Sequence, residues 1–234
     1  MPGIASFHLT KVGSGRAPLA LARLGADRVM LARVPGLRFW RLLGTGRGAD
    51  TGPGADLRRT ALFAVWDDEA ALDRFVARRT IERRGVEEAY SVRLRAVGGH
   101  GAWNRFDVLG ALDRAEPAAG EPVAVITRAQ VRVRHWRTFA AAAREVSGEL
   151  QQAPGLLAVC GIGEAPVGRQ ATFSLWRSAG DARAFAHDTA RHADAVRRTR
   201  AEGWYGEELF ATLAPFGSSG TWDGRDPLSS RRTT

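Results

Sequence analysis

Four short segments of this chain occur twice, in the same order and at nearly constant separation. That repetition restricts the available folds more than any single motif does. Pro35-Gly36-Leu37 returns as Pro154-Gly155-Leu156, 119 residues later (154 − 35). Leu62-Phe63-Ala64-Val65-Trp66 is echoed by Thr172-Phe173-Ser174-Leu175-Trp176, and a Phe follows each Trp by nine residues (Phe75, Phe185). Glu87-Glu88-Ala89-Tyr90 returns as Glu207-Glu208-Leu209-Phe210, and Gly101-Ala102-Trp103-Asn104 as Gly220-Thr221-Trp222-Asp223. A spacing above a hundred residues is far too long for a solenoid, whose units run to about 50. A small domain duplicated within one chain fits instead, its copies facing each other across a shared interior.

The bulk numbers agree. With 234 residues, 44% of them hydrophobic, the chain can bury one large core or two small ones. No apolar run approaches the roughly 18–20 residues needed to span a bilayer, and the first residues lack the basic start and apolar core of a secretory signal. The lone Cys160 rules out an internal disulfide and suits a reducing cytoplasm. The net charge of +9 is almost all arginine, since Lys11 is the only lysine. These arginines are spread among acids, and no helix-turn-helix, zinc-finger or RNA-platform pattern accompanies them, so nucleic acid is not the expected partner. An acidic protein partner remains open.

Each copy reads β-α-β-β-α-β, the ferredoxin-like split unit. In the first, Ile4–Leu9 is strand-like, Pro18–Arg28 helical with Pro near its first turn, and Gly36–Leu43 a second strand. Thr60–Trp66 is a continuous apolar run of strand length, and Asp67 or Asp68 caps a helix through Ala71, Leu72, Phe75 and Val76. Ala89–Val97 alternates as a half-buried strand, with Gly98–Gly101 read as a loop carrying His100. The second copy predicts strands at Pro122–Arg132, Leu156–Ile162, Gln170–Trp176 and Trp204–Leu213, and helices over Arg134–Leu150 and from Ser178, where Asp181 completes a capping box. The expected organisation is α+β: repeats at 1–106 and 122–228, a connector at 107–121, and a disordered tail at 229–234. Two four-stranded sheets with helices on one face must pair their bare faces, giving a dimeric α/β-barrel-like fold in one chain. Pockets can then form between helices and sheet or inside the barrel.

Phe39-Trp40-Arg41-Leu42-Leu43-Gly44-Thr45-Gly46, the strand Val123–Ala129, the run Gln170–Trp176 and the closing stretch Gly203–Leu228 resemble spheroidene monooxygenase. The likeness spans nearly the whole chain, and Gly220-Thr221-Trp222-Asp223-Gly224 with Pro227-Leu228 is its most specific element. The resemblance implies a tandem dimeric α/β barrel that hydroxylates or ketolates an acyclic carotenoid at C2. It implies b-type haem, dioxygen and electrons from a ferredoxin.

Haem iron takes an axial His, Cys, Tyr or Met. The candidates are His8, His100, His135, His187, His192, Cys160, Tyr90, Tyr205 and Met30. On the helix beginning at Ser178, the apolar face is Ala182, Phe185, Ala186, Thr189, Ala193 and Val196. At about 100° per residue, His192 lies roughly 80° from the centre of that face and His187 nearly opposite it. His192 is therefore the favoured metal ligand, although a histidine at such a boundary more often simply caps a core. The resemblance adds to it, because a His just before Ala-x-Ala-Val matches the family pattern. Phe185, on the same face, and Trp40, beside Phe39 on a strand bounded by Gly44-Thr45-Gly46, are the expected cofactor or substrate walls; for Trp40 the commoner alternative is core packing. Arg128 and Thr127 are the expected catalytic donors on the distal side; their alternative is a strand's ordinary polar alternation. Cys160, in an apolar strand with no adjacent base, reads as an inert buried thiol.

The leading expectation is a haem-dependent monooxygenase acting on a hydrophobic small-molecule substrate, with a ferredoxin-type donor docking on the basic surface. The alternatives are a haem enzyme running a dehydration without an electron donor, a haem or small-molecule binder without catalysis, and a cofactor-free barrel in which an electron-rich substrate meets oxygen directly. Whether two chains pair into a homodimer is open at this level.

Overall fold

Several strands are buried on both faces, which a half-exposed sheet would not allow. The last six residues of one strand, Ala61–Trp66, are all buried, as are the first four of another, Ile4–Phe7. Such strands need a packed layer on each side. The structure, a computed structural model, describes residues 2–16, 25–46, 48–49, 55–81, 85–164, 169–188 and 203–229, with backbone alone at 16, 79–81 and 187–188. The first copy comprises β1 (Ile4–Val12), a helix at residues 25–31 (α1), β2 (Leu37–Gly46), β3 (Ala55–Trp66), α2 (Glu69–Ile81) and β4 (Val86–Gly101). The second comprises β5 (Val123–Val131), α3 (Trp136–Gln151), β6 (Leu156–Gly163), β7 (Arg169–Trp176), α4 (Ala179–Asp188) and β8 (Tyr205–Gly220). The expected caps are in place: Ala71 N–H donates to Asp68 at 2.7 Å, and Asp181 N–H to Ser178 Oγ at 3.1 Å.

The eight strands close into an antiparallel barrel in the order β1-β3-β2-β6-β7-β5-β8-β4. Each half is a ferredoxin-like sheet, and the registers superpose: Ile4 lies opposite Trp66 as Val123 lies opposite Trp176. The halves join unequally. β4 and β8 pair from Tyr90↔Gly220 to Gly101↔Leu209, whereas β2 and β6 pair at Gly44↔Gly163 and Thr45↔Ile162. β4 thus continues through the segment read as a loop. Glycine is needed there: Gly99 has φ 136°, and a Cβ on it would fall 2.0 Å from Phe210 O.

The barrel interior is filled. Phe7 of one copy stacks on Phe173 of the other with centroids 3.8 Å apart, Trp103 stacks on Phe63, and Trp222 leans on Tyr90. The two Trp are delivered by matching hairpin turns, Asn104-Arg105 and Asp223-Gly224, all four residues at positive φ as a type I′ turn requires. A carboxylate of the opposite copy clamps each turn. Glu207 accepts the N–H groups of Asn104 (2.7 Å) and Arg105 (2.8 Å), and Glu88 accepts from Gly224 N–H (2.7 Å) and from the Thr221 hydroxyl (3.1 Å). The Glu-Glu and Gly-x-Trp anchors therefore recur because each recognises the other across the pseudo-twofold. Residues of the 107–121 connector also pack inward: Val108 and Leu112 are buried, and Gly3 exchanges backbone hydrogen bonds with Ala111 and Asp113.

Candidate active site

Along each strand, alternate residues face the barrel and the helices. In the first copy the helix-facing layer is solid, built from Leu31, Leu42, Leu62, Trp66, Leu72 and Phe75. The equivalent layer of the second copy is hollow. Thr127 stands where the first copy has His8, Thr172 where it has Leu62, and Ser174 where it has Ala64. Opposite them, α3 and α4 present Ala142, Ala143, Ala182 and Ala186. Small groups on both sides leave a cavity of about 530 Å³, within the usual range for small-molecule sites.

β5, β7 and β8 form its floor, α3 and α4 its roof, and Trp204 with Tyr205 close one end. The first copy completes the wall with Ala49 and with Val97-Gly98-Gly99 of the extended β4. Ala49 is held by its carbonyl, which accepts Ser147 Oγ at 3.1 Å, while Gly161 N–H donates to Gly48 O at 2.7 Å. Trp176 donates its indole N–H to Ser174 Oγ at 2.9 Å, so its polar edge is satisfied and its ring packs against Phe185 at 5.6 Å. Arg183, exposed on α4, is the cation in the lining.

The residues expected from sequence separate. Thr127 lies in the floor and Phe185 in the roof, and Ala182 and Ala186 of the same α4 face line the cavity with it. Arg128, one residue along β5 from Thr127, points the other way. It is 2% exposed, pairs with Glu207, donates to Asn104 Oδ1 at 3.1 Å and sits over the Trp103 ring. It locks the barrel end rather than reaching the cavity, because neighbouring strand residues cannot share a face. Trp40 packs in the solid layer of the first copy, away from the cavity. His8 faces that same layer, sharing a 2.9 Å hydrogen bond with Ser6 and meeting Phe75 edge-on. His100 is exposed on β4 beside Glu208, His135 stacks on Trp204, and Met30 packs against the first-copy core. His192 lies outside the described residues, as does the His187 side chain.

Of the remaining iron donors, burial pushes the Cys160 thiol up to about 12, only partly opposed by Arg59, and raises the Tyr90 phenol. Both belong to the barrel interior. Among the described residues Tyr205 is the lining side chain with an atom that haem iron accepts, and no His, Cys, Asp and Glu cluster suits a bare metal ion. The lining is mostly apolar, with the Thr127, Thr172 and Ser174 hydroxyls in the floor and the Arg183 guanidinium on α4. The expected imidazole belongs to the sequence that follows α4. The lining residues that sequence reading did not single out, Thr172, Ser174 and Phe139, are small or aromatic and carry no motif. Comparing the copies position by position would have exposed the first two.

No protein-family model matches the chain. Spheroidene monooxygenase of Rhodobacter capsulatus is 30% identical over 232 residues, which cover 97% of this chain and 96% of that one. The chain belongs to the spheroidene monooxygenase family. The spheroidene monooxygenase of Rubrivivax gelatinosus is 34% identical over 194 residues, covering 82% and 73%. Family membership makes the chain a monooxygenase, and so an oxidoreductase. Among solved structures, an aldoxime dehydratase in complex with butyraldoxime superposes with TM-score 0.62 at 12% identity, over 91% of this chain and 79% of that one. A second aldoxime dehydratase structure gives 0.61 at 12% identity, over 91% and 80%. At such identity the likeness is one of fold.

Proposed function

We propose that this spheroidene monooxygenase relative uses haem to oxidise a hydrophobic, carotenoid-like substrate that enters the second-copy cavity end-on. The observation that carries the reading is the apolar hollow itself, roofed by the α4 face whose sequence continues to His192. His192 would ligate the iron, Phe185 would pack against the macrocycle, and Arg183 would meet an acidic edge. When bound, haem supplies dioxygen activation. Monooxygenation places one oxygen atom in the product and reduces the other to water, so it consumes two electrons and two protons. An external reductant of ferredoxin type is therefore part of the proposal.

The chain's own residues do the rest. Thr127 and Thr172 bring hydroxyls to the floor, where they can donate to a polar group on the ligand. The Ala and Val side chains of α3 exclude water, which keeps the reaction dry and the substrate aligned. A long polyene exceeds a cavity of about 530 Å³, so its end would be held inside while the remainder extends outward.

Protein expressed with haem supply is expected to carry a Soret band that His192→Ala abolishes or shifts, while His187→Ala and Tyr205→Phe leave it in place. Product formation from an acyclic carotenoid should require a reductant. Absence of haem uptake, or a band lost in Tyr205→Phe and kept in His192→Ala, would overturn the ligand assignment.

A further inference from the structure

The corner between β5 and α3 holds the most exposed large apolar side chain among the described residues, and cations flank it in sequence. Val133 is 83% exposed, against 58% for Val29 and 52% for Leu57, the other large apolar side chains turned to solvent. Arg132, Arg134 and Arg137 surround it in sequence and are all exposed. Residues 123–144 contain no Asp or Glu, and α3 has no acid in its first turn. Among the described residues none of these three arginines has a carboxylate partner. The two acids at the start of β8 are already engaged, Glu207 with Arg128 and Glu208 with His100.

This corner is continuous with the cavity wall. Arg132 N–H donates to Trp204 O at 2.9 Å, and the His135 ring lies 6.2 Å from that of Trp204. Trp136 meets Phe139 at 6.0 Å, and Phe139 meets Tyr205 at 6.1 Å. Trp204, Phe139 and Tyr205 all line the cavity. An apolar apex between arginines, adjoining an apolar cavity, is the arrangement expected of a peripheral membrane contact: cations meet lipid phosphates while the apex enters the interface.

We infer that the Val133 corner docks the protein on an anionic lipid bilayer, setting the cavity beside the phase in which a hydrophobic substrate dissolves. The purpose of the docking rests on the proposed function; the docking itself needs neither haem nor turnover. The arginines supply most of the attraction, so it weakens with salt, and Val133 adds the part that salt does not screen.

The test is sedimentation of the full chain with vesicles of phosphatidylcholine, alone or mixed with phosphatidylglycerol. Binding is expected to the anionic vesicles, falling as salt rises. Removing three cations by Arg132→Gln, Arg134→Gln and Arg137→Gln together should lower partitioning about a hundredfold. Val133→Ser should weaken it with little change in salt dependence. A control lacking Arg28, Arg33 and Arg74, exposed on the first copy, has the same net charge and should bind as the unaltered chain does. Unchanged unfolding midpoints would establish that both triple variants fold. Absence of anionic-vesicle binding, equal loss in the two triple variants, or capture of an acidic protein in place of lipid would overturn the inference. None of these outcomes bears on the Soret test, so the two readings fail separately.

Discussion

At the scale of single residues, burial decides which chemical groups are available. Cys160 is 2% exposed and its thiol is pushed up to about 12, so at pH 8 almost none of it is thiolate. Iodoacetamide should leave the folded protein unmodified and label it once in denaturant; rapid labelling of the folded state would show an accessible thiol. Glu207 is the opposite case. Burial alone would raise its pKa, but the N–H groups of Arg105 and Asn104 and the Arg128 guanidinium outweigh that and hold it below the ordinary carboxylate range. With the folded value depressed, its stabilisation is present above the unfolded value of about 4.3 and is lost as pH falls through the folded one. Glu207→Gln leaves the Arg128 cation, 1% exposed at its side chain, without its counter-charge, and should cost about 3 kcal/mol in urea unfolding at neutral pH. The difference between variant and parent should shrink in acid. Sequence alone offered Arg128 as a cavity-side donor or as ordinary strand alternation, but not which face it takes. Strand alternation already required Thr127 and Arg128 to part. What it lacked was the partner, Glu207, 79 residues away.

At the scale of elements, the cavity exists by subtraction. The strands and both helix caps were legible because apolar runs, turn glycines and Asp or Ser caps are strong local signals, although β4 and β8 run past their expected ends at Val97 and Leu213 to Gly101 and Gly220. The hollow was not, because Thr172 or Ala182 is unremarkable until set against its counterpart in the other copy. Trp40 shows the cost: an aromatic near a glycine turn looks like a channel wall, yet it belongs to the copy whose layer is full. This makes a direct experiment. Thr172→Leu installs the side chain that the first copy carries at Leu62, and should fill the floor between Thr127 and α4. Each buried Leu contributes about 1.5–3 kcal/mol, so the unfolding midpoint should hold or rise while haem uptake or binding of an apolar fluorescent probe weakens about tenfold or more. Lower stability with unchanged binding would mean that the ligand sits elsewhere.

At the scale of the whole molecule, duplication gives a closed barrel whose two seams are not equivalent. The β4·β8 seam runs from Tyr90 to Gly101 and is reinforced at both ends by the clamped Trp103 and Trp222 turns. The β2·β6 seam rests, among the described residues, on Gly44↔Gly163, Thr45↔Ile162 and the Gly161–Gly48 hydrogen bond. Few hydrogen bonds and four glycines make it the natural place for local opening. It also adjoins the cavity, since Ala49 is a wall residue. Hydrogen exchange under native conditions should therefore release the amides of Thr45, Gly161 and Ile162 well before those of Val92, Leu94 and Ala211. A ligand filling the cavity braces Ala49 against α3 and should slow the first group selectively, leaving β4 and β8 unchanged. If both seams exchanged together, the barrel would open as one unit and access to the cavity could not depend on the weaker seam.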